Sequence, residues 1–156
     1  MPHAIILING QKTLIDEKDY EKLSGYRWGL SSTGYVARTT SKGGKYKTFL
    51  LHRVIMSAKK GEVIDHINNN PLDNRRENLR FCTQKQNVQN QRTQLRSKSG
   101  FKGVCWDNKY NKWRSYIVSS GKQKFLGYYE DKERAAEAYN KAASERFGQF
   151  ANFNII

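Results

Sequence analysis

The chain has 156 residues, and its 28 Lys and Arg against 14 Asp and Glu give a formal net charge of +14 at pH 7. Such an excess predicts attraction to polyanions and makes nucleic acid the first expected partner. The aromatic content of 12% excludes a disordered basic tail, because it provides apolar material for small cores. No apolar run approaches the roughly 18 residues of a membrane span, so no membrane partner is expected.

The cysteines indicate a reducing setting. Cys82 and Cys105 are too few for a disulfide framework, and they do not make a zinc ligand set with nearby histidines. The apolar stretch at residues 4–8 is too short for a secretion signal and has no basic segment before it. We therefore expect an intracellular protein that is not secreted and binds no zinc.

The first 50 residues are expected to be rich in β-strands. Two short apolar stretches flank Asn9-Gly10, which suits the tight turn of a hairpin. Asp16 is a predicted N-cap of a short helix that ends near Gly25. Turn residues then separate three further short strands, which are expected over residues 26–30, 34–40 and 45–51.

The central stretch, residues 62–91, concentrates groups that carry chemistry. Asp65-His66 ends a short β-branched run, and a polar loop leads to a second apolar run at Leu79–Cys82. Thr83 and Gln86 have the spacing of a capping box, which predicts a helix with Asn87 about one turn from its start. Strand, loop, strand and helix would bring an acid, an imidazole and a carboxamide together.

These residue types suit the hydrolysis of a phosphodiester bond. A neutral imidazole such as that of His66 can take a proton from water near neutral pH. Carboxylate and amide oxygens, here of Asp65 and Asn87, are ligands that Mg²⁺ accepts together with water and substrate phosphate. Asp65 and His66 are neighbours on a strand, so their side chains should point in opposite directions. Asn78 is expected to hydrogen-bond the loop backbone.

The segment LHRVIM…VIDHINNNPLDNRRENLRFCTQKQNVQN resembles the HNH endonucleases of the ββα-metal fold, in the form carried by phage and intron homing endonucleases. The resemblance covers about Leu51 to Asn90, and the upstream segments DEKDYEKLSGYRW and GYVAR extend it toward residue 5. It implies one Mg²⁺ or Mn²⁺ per site, a bacterial or phage-infected cytoplasm, and products with 5′-phosphate and 3′-hydroxyl ends. The residue roles that it implies are His66 as general base, Asp65 and Asn87 as metal ligands, and Asn78 as the residue that orients the base.

Several basic residues near this segment are expected to contact DNA phosphates. Within the nuclease segment they are Arg53, Arg75 and Arg76. His52 is expected to pack or to hydrogen-bond behind the site, with a phosphate contact as the alternative. Residues 92–98 form a polar, basic linker that is a solvated connector, a phosphate contact, or both; its basic residues are Arg92, Arg96 and Lys98.

A second pattern begins near Ser99. Three strands are expected over residues 102–106, 112–119 and 122–128, followed by a helix that Asp131 caps and Gly148 ends. Alternation places Trp113, Ser115 and Ile117 toward the helix.

The segments FKGV, FLGYY and AAEAYNKAA resemble the plant Apetala-two/ethylene-response-factor DNA-binding domain. The resemblance covers about residues 99–154 and implies a sheet that lies in the major groove, which admits a β-ribbon. The plant domains present several arginines on this sheet, whereas this chain has fewer, so base preferences cannot be transferred. The outward residues expected to contact DNA are Lys102, Arg114, Tyr116, Gln123 and Phe125.

The predicted fold class is α+β. An HNH nuclease domain is expected over residues 1–91, with a β-rich part at 1–50 and the ββα-metal core at 51–91. Residues 92–98 link it to a DNA-binding domain at 99–156, in which a three-stranded antiparallel sheet packs on one helix.

The function that follows is a site-directed DNA endonuclease of the homing type, acting on double-stranded DNA as a monomer or as a dimer assembled on DNA. The alternatives are a non-catalytic DNA-binding regulator built from the same modules and a structural RNA-binding protein. The last gives no reason for the Asp-His pair.

Overall fold

The computed structural model describes residues 2–90 and 98–156. These residues form two compact units, which divide between Asn87 and Val88. We call the described residues up to Asn87 unit 1 and those from Val88 onward unit 2. No helix in the described part of the chain is both long enough and apolar enough to cross a membrane.

Unit 1 begins with the predicted hairpin. Its strands are antiparallel, with Ala4 opposite Leu14, and a short helix follows directly. Asp16 has the extended backbone of an N-cap, but its carboxylate accepts a hydrogen bond from the backbone N–H of Arg76 at 2.8 Å and makes no side-chain cap bond. The elements are β1 (Pro2–Ile6), β2 (Lys12–Asp16) and α1 (Glu17–Leu23).

A three-stranded antiparallel sheet comes next, with the second strand in the middle. Its first strand is shorter than predicted and contains only two residues, although the expected span began at residue 26. The other two strands form a long hairpin that leads into a short helix. The elements are β3 (Gly29–Leu30), β4 (Val36–Lys42), β5 (Lys45–Leu50) and α2 (Leu51–Ile55).

The central stretch forms two short antiparallel strands and a helix, as predicted. A 3-10 turn at Arg76–Asn78 precedes the second strand. The buried core of unit 1 joins the first hairpin, the two short helices after it and the central hairpin, and contains Trp28, Ile15 and Leu51 at its centre, with at most 1% of each residue exposed. The elements are β6 (Val63–His66), β7 (Leu79–Cys82) and α3 (Gln84–Asn90), and the division between the units falls within α3.

Unit 2 contains a three-stranded antiparallel sheet in which the second strand of the chain order lies in the middle. One long helix packs on this sheet. The helix ends at Gly148, as predicted. Its buried residues are Ala135, Ala136, Tyr139 and Ala143. The elements are β8 (Val104–Asp107), β9 (Lys112–Ser119), β10 (Lys122–Tyr129) and α4 (Lys132–Phe147).

The first strand of this sheet starts two residues later than expected, because Gly103 turns the chain with a φ of 72°. A Cβ atom at this position would collide with the Tyr139 ring and with the carbonyl oxygen of Tyr116. The glycine therefore lets the chain approach the helix and the middle strand closely.

The α+β class predicted from the sequence is confirmed.

Candidate active site

The β6–β7 hairpin presents Asp65 and His66 on opposite faces. Asp65 lies opposite Arg80, and His66 lies opposite Leu79. Ile64 shares the parity of His66 and belongs to the core, so His66 points inward while Asp65 points to the other face. Both side chains are buried, which is unusual for ionisable residues and indicates specific partners.

Asn74 holds the imidazole of His66. Its Oδ1 lies 3.2 Å from Nε2 of His66, while its Nδ2 donates to Thr13 Oγ1 at 2.9 Å and to the carbonyl of Pro71 at 3.0 Å. These two acceptors fix the orientation of the carboxamide, so Oδ1 must accept and Nε2 of His66 must carry the hydrogen. This tautomer leaves the lone pair on Nδ1, so Nδ1 is the nitrogen that could accept a proton.

The surroundings keep His66 neutral. Burial lowers the pKa of His66 from its ordinary value, and this effect outweighs the hydrogen bond to Asn74 and the carboxylates of Asp65 and Asp73, which act in the opposite direction. A neutral imidazole at physiological pH can accept a proton, so His66 meets the electrostatic requirement for a base.

Asn78 fixes the loop that follows His66. Its Oδ1 accepts from the backbone N–H of Asn68 at 3.0 Å, and its Nδ2 donates to Asn68 Oδ1 at 3.0 Å and to the carbonyl of Asp73 at 2.7 Å. The expected hydrogen bonding to the loop is therefore present. The carboxamide hydrogen-bonded to the imidazole is that of Asn74, whereas the resemblance implies Asn78 as the residue that orients the base.

The Asp65 carboxylate lies in an ion pair with Arg80. Its Oδ2 accepts from Nε at 2.9 Å and from Nη2 at 2.6 Å of Arg80. Burial raises the pKa of the Cys82 thiol, and the charge of Asp65 adds to this effect, while Arg80 and the backbone of Asn87 act in the opposite direction.

A capping box fixes the start of α3. Thr83 Oγ1 accepts from the backbone N–H of Gln86 at 3.2 Å, and Gln86 Oε1 accepts from the backbone N–H of Thr83 at 2.8 Å. This reciprocal pair is the arrangement that the sequence predicts. It sets the position of Asn87, which is half-buried in the first turns of the helix.

The donor set suits one hard divalent ion. Among the residues that the structure describes, no three His, Cys, Asp or Glu side chains cluster as metal ligands. Mg²⁺ does not require such a cluster, because it keeps several waters and takes substrate phosphates as further ligands. One carboxylate and one amide oxygen are compatible with Mg²⁺ in their chemistry, and a metal site formed by Asp65 and Asn87 remains a prediction.

His52 and Tyr35 complete an aromatic cluster around His66. The His52 ring lies edge to face with His66 at a centroid distance of 5.1 Å, and Tyr35 lies 5.1 Å from His52 and 5.9 Å from His66. Burial, together with the charges of His66 and Arg53, lowers the pKa of His52 to about 4. The packing expected for His52 is present, whereas the sequence assigned no role to Tyr35.

The arginines expected at DNA have intramolecular partners. Arg53 donates to the backbone carbonyls of Lys59 and Glu62. Each of the others forms an ion pair: Arg75 with Asp73, and Arg76 with Asp19, in both cases at 2.8 Å. A phosphate contact at these residues remains a prediction. Lys98 is exposed, and Arg92 and Arg96 lie outside the described residues.

The outer face of the unit 2 sheet carries most of the residues predicted for it. Arg114 lies opposite Cys105 and Tyr128, and Tyr116 lies opposite Phe125. Gln123 and Phe125 are exposed. On the other face Ser115 and Ile117 are buried, as the alternation predicts.

The predicted position of Lys102 is wrong in one respect. Lys102 precedes β8, so it is not a strand residue. Its ammonium donates to the carbonyl of Gln89 at 2.7 Å, and burial lowers its pKa. A DNA contact at Lys102 remains a prediction.

The sequence reasoning did not single out a basic ribbon formed by β4 and β5. Residues 39–48 are all exposed, so both faces of this part of the hairpin lie in solvent. Gly43 and Gly44 turn the chain with φ values of 57° and 73°. The segment 38–50 has no acidic residue and carries Arg38, Lys42, Lys45 and Lys47. A lysine-bearing hairpin without acids was the signal that could have identified it.

Comparison with known families and proteins agrees with this geometry. A family model described as HNH endonuclease matches residues 49–89. The chain is 30% identical over 135 residues to an uncharacterized HNH endonuclease, L560, of Acanthamoeba polyphaga mimivirus, and the match covers 86% of this chain and 70% of that protein.

Two further relatives match parts of the chain. The DNA endonuclease I-HmuI of Bacillus phage SP01 is 41% identical over 67 residues, or 40% of this chain and 38% of the relative. Its solved structure, described as showing DNA binding and cleavage by an HNH homing endonuclease, aligns with a TM-score of 0.37 at 26% identity over 78% of this chain and 74% of that one.

The AP2-like ethylene-responsive transcription factor TOE2 of Arabidopsis thaliana is 36% identical over 72 residues, or 46% of this chain and 15% of that protein. The match to the mimivirus protein extends over most of both chains, and the family model spans the segment that forms the β6–β7 hairpin and most of α3. This chain belongs to the HNH endonuclease family.

Proposed function

We propose that this protein is a site-directed DNA endonuclease of the homing type, which hydrolyses phosphodiester bonds with one divalent metal ion. The observation that carries the proposal is the state of His66, which is buried, neutral and fixed by Asn74 in the tautomer that a base needs.

Each residue of the site has its own proposed role in the reaction. Nδ1 of His66 takes a proton from water, the water oxygen bonds to phosphorus, and the bond from phosphorus to the 3′ oxygen breaks. A divalent ion held by Asp65 and Asn87 would supply positive charge to the phosphate oxygens and the departing oxygen. Asn74 keeps the imidazole in place, and Asn78 keeps the loop after His66 closed. The leaving 3′ oxygen is protonated by solvent, which gives 5′-phosphate and 3′-hydroxyl ends.

Charge and surface shape support double-stranded DNA as the substrate. The net charge is +14, and both units expose basic or aromatic surface outside the catalytic hairpin. The similarity to a phage DNA endonuclease and to a plant transcription factor supports the same substrate. We assign unit 2 as a DNA-binding domain of the Apetala-two/ethylene-response-factor type, whose sheet docks in the major groove.

The proposed oligomeric state is a monomer or a dimer assembled on DNA. One site per chain suits a nick by a monomer, whereas a double-strand cut requires two chains assembled on DNA. The protein acts in the bacterial or phage-infected cytoplasm, where DNA and magnesium are both present.

Plasmid nicking tests the proposed function. Supercoiled DNA is incubated with the purified chain and Mg²⁺ or Mn²⁺, and the open-circular product is quantified by gel. We expect product that depends on the metal and disappears with EDTA. Sequencing of the ends should place the cut at defined sites, with 5′-phosphates. A preparation that binds the plasmid yet yields no open-circular product with either metal would contradict the proposal.

The Asp65–Arg80 ion pair favours one alternative, a DNA-binding regulator that does not cleave. Arg80 already neutralises the carboxylate that would hold the ion. In the regulator, this pair would be permanent and the central hairpin would be only structural. The nicking assay separates the two functions, because both proteins bind DNA and only the endonuclease releases nicked product in a metal-dependent manner.

A further inference from the structure

The side chain of His52 contains a polar atom that is not hydrogen-bonded. His52 is only 5% exposed, and its Nδ1 is buried with no hydrogen-bond partner among the described residues. A buried polar group that forms no hydrogen bond destabilises the folded protein. Buried groups of this kind usually bind an ordered water molecule or a ligand.

Packing alone does not explain a histidine at this position. The ring contacts Tyr35 and His66 through its faces and edges, with centroid distances of 5.1 Å to each. A phenyl ring would make the same aromatic contacts without burying a polar atom. The nitrogen therefore indicates a partner that the described part of the chain does not provide.

The position of His52 identifies that partner. It lies on α2, beside the imidazole that takes the proton, and the two rings are nearly perpendicular at 81°. A ring nitrogen lies about 1 Å from its ring centre, and a water hydrogen bond spans about 2.8 Å. A centroid distance of 5.1 Å therefore allows one water molecule to contact a nitrogen of each ring.

We propose that Nδ1 of His52 holds the attacking water, as a second hydrogen-bond acceptor beside His66. This inference rests on the proposed endonuclease function. The water donates one hydrogen to Nδ1 of His66 and the other to Nδ1 of His52, so that its lone pair points away from both rings toward the phosphorus. His66 accepts the first proton as the new oxygen–phosphorus bond forms and the bond to the 3′ oxygen breaks. His52 exchanges no proton and acts by orientation, and misplaced reacting atoms can reduce a rate about a hundredfold.

Two substitutions at the same position separate hydrogen bonding from packing. His52→Phe keeps the aromatic ring and removes the nitrogen. His52→Asn gives up the ring but places an amide group where Nδ1 lies. Single-turnover cleavage at saturating DNA, the Kd for DNA and thermal unfolding are measured for both variants, with Tyr35→Phe as a control that keeps its ring.

We expect His52→Phe to cleave at least about tenfold more slowly than the wild type, with the Kd changed less than about twofold. His52→Asn should recover part of the lost rate despite lower thermal stability, because the hydrogen bond is restored. If His52→Asn is less stable than His52→Phe and yet cleaves faster, a purely structural role of His52 cannot explain the result.

Other results overturn the inference. Wild-type cleavage by His52→Phe would show that the nitrogen is not used, and a slow His52→Asn would show that loss of the ring is what matters. An inactive wild-type protein instead overturns the proposed function itself and, with it, this inference. Since the wild type is measured in the same assay, the two failures are distinguishable.

Discussion

The two units differ most in what they bury. The interior of unit 1 contains many polar side chains, while that of unit 2 is almost entirely apolar, with small alanine contacts between helix and sheet. The buried polar residues of unit 1 are Thr13, Asp19, His52, Asp65, His66, Asp73, Asn74 and Asn78, and those in the described part of unit 2 are Asn90, Ser99 and Ser115.

This difference bears on which unit contains the proposed cleavage site. Burying polar groups costs free energy unless each one is hydrogen-bonded, so a folded chain keeps them where they serve a purpose. Unit 2 instead places its distinctive groups on the surface, where Phe125 is 50% exposed and Val118 is 51% exposed. These contrasts support placing the proposed cleavage site in unit 1 and a proposed DNA-binding surface on unit 2.

The largest effect should come from two matched ion pairs within unit 1. Asp65 pairs with Arg80, and Asp19 pairs with Arg76 in a similar geometry. Asp65→Asn and Asp19→Asn should each destabilise unit 1 by about 1.5–3 kcal/mol, because each weakens a charge-assisted bond. Only Asp65→Asn should also reduce cleavage, by about a hundredfold or more. Denaturant unfolding gives the loss of stability, and plasmid nicking gives the loss of cleavage. Equal losses of cleavage in the two variants would contradict the distinction between a catalytic Asp65 and a structural Asp19.

The unit 2 sheet should affect binding without affecting the chemical step. Arg114→Gln and Phe125→Ala are each expected to weaken DNA binding by about 1–3 kcal/mol, roughly tenfold or more in Kd. Arg134→Gln is the control, since Arg134 lies on α4 and the substitution removes the same charge from the opposite side of the sheet. Fluorescence anisotropy gives the Kd. A lower cleavage rate at saturating DNA would show that the unit 2 sheet also contributes to the reaction.

The β4–β5 ribbon offers a sharper test, because it is a binding surface within the catalytic unit. We consider a variant in which Lys42, Lys45 and Lys47 are replaced with Gln. Its slope of log Kd against log salt should be shallower by about 0.9 for each phosphate that a lysine no longer neutralises. The control replaces Lys12, Lys18 and Lys22, which carry the same charge elsewhere on unit 1. The slope of log Kd against log salt is compared for the two triple variants. Identical slopes would indicate that the salt dependence of DNA binding reflects the total charge of the protein rather than contacts of the ribbon.

The smallest effect is expected at the capping box. Thr83→Ala removes the hydroxyl that accepts from the backbone of Gln86 and should cost roughly 0.5–2 kcal/mol of helix stability. Because α3 carries Asn87, the variant should also need more Mg²⁺ for half-maximal cleavage. Thr83→Ser, which keeps the hydroxyl, should behave like the wild type. An unchanged metal requirement in Thr83→Ala would contradict the role of Asn87 in metal binding.

Local patterns predicted most of the secondary structure. The first hairpin, β7, β9 and α4 follow from short periodic runs bounded by turn residues, and the Thr83–Gln86 cap follows from spacing alone. The opposite orientations of Asp65 and His66 follow from the pleat of a strand. Each of these features depends on residues close together in the chain, which is why sequence suffices.

The contacts that complete the site could not be predicted in this way. Asn74 is held by Thr13, which is 61 positions away in sequence, and Asp19 pairs with Arg76 across 57 positions. Arg53, Arg75 and Arg76 were expected to contact DNA phosphates, and the sequence did not indicate that each would bind an acid or a carbonyl within the chain. Only the folded chain shows which side chains meet across β1, β2 and the loop after His66.

Comparing His66→Ala with the wild type, for both cleavage and DNA binding, tests the central claim most directly. A general base contributes about 10²–10⁴-fold to a rate, so the variant should lose cleavage by at least the lower factor under single-turnover conditions with Mg²⁺. Its Kd for the same duplex should stay within about twofold of the wild type, since we propose that unit 2 and the ribbon provide most phosphate contacts. Cleavage by His66→Ala at the wild-type rate would contradict the account.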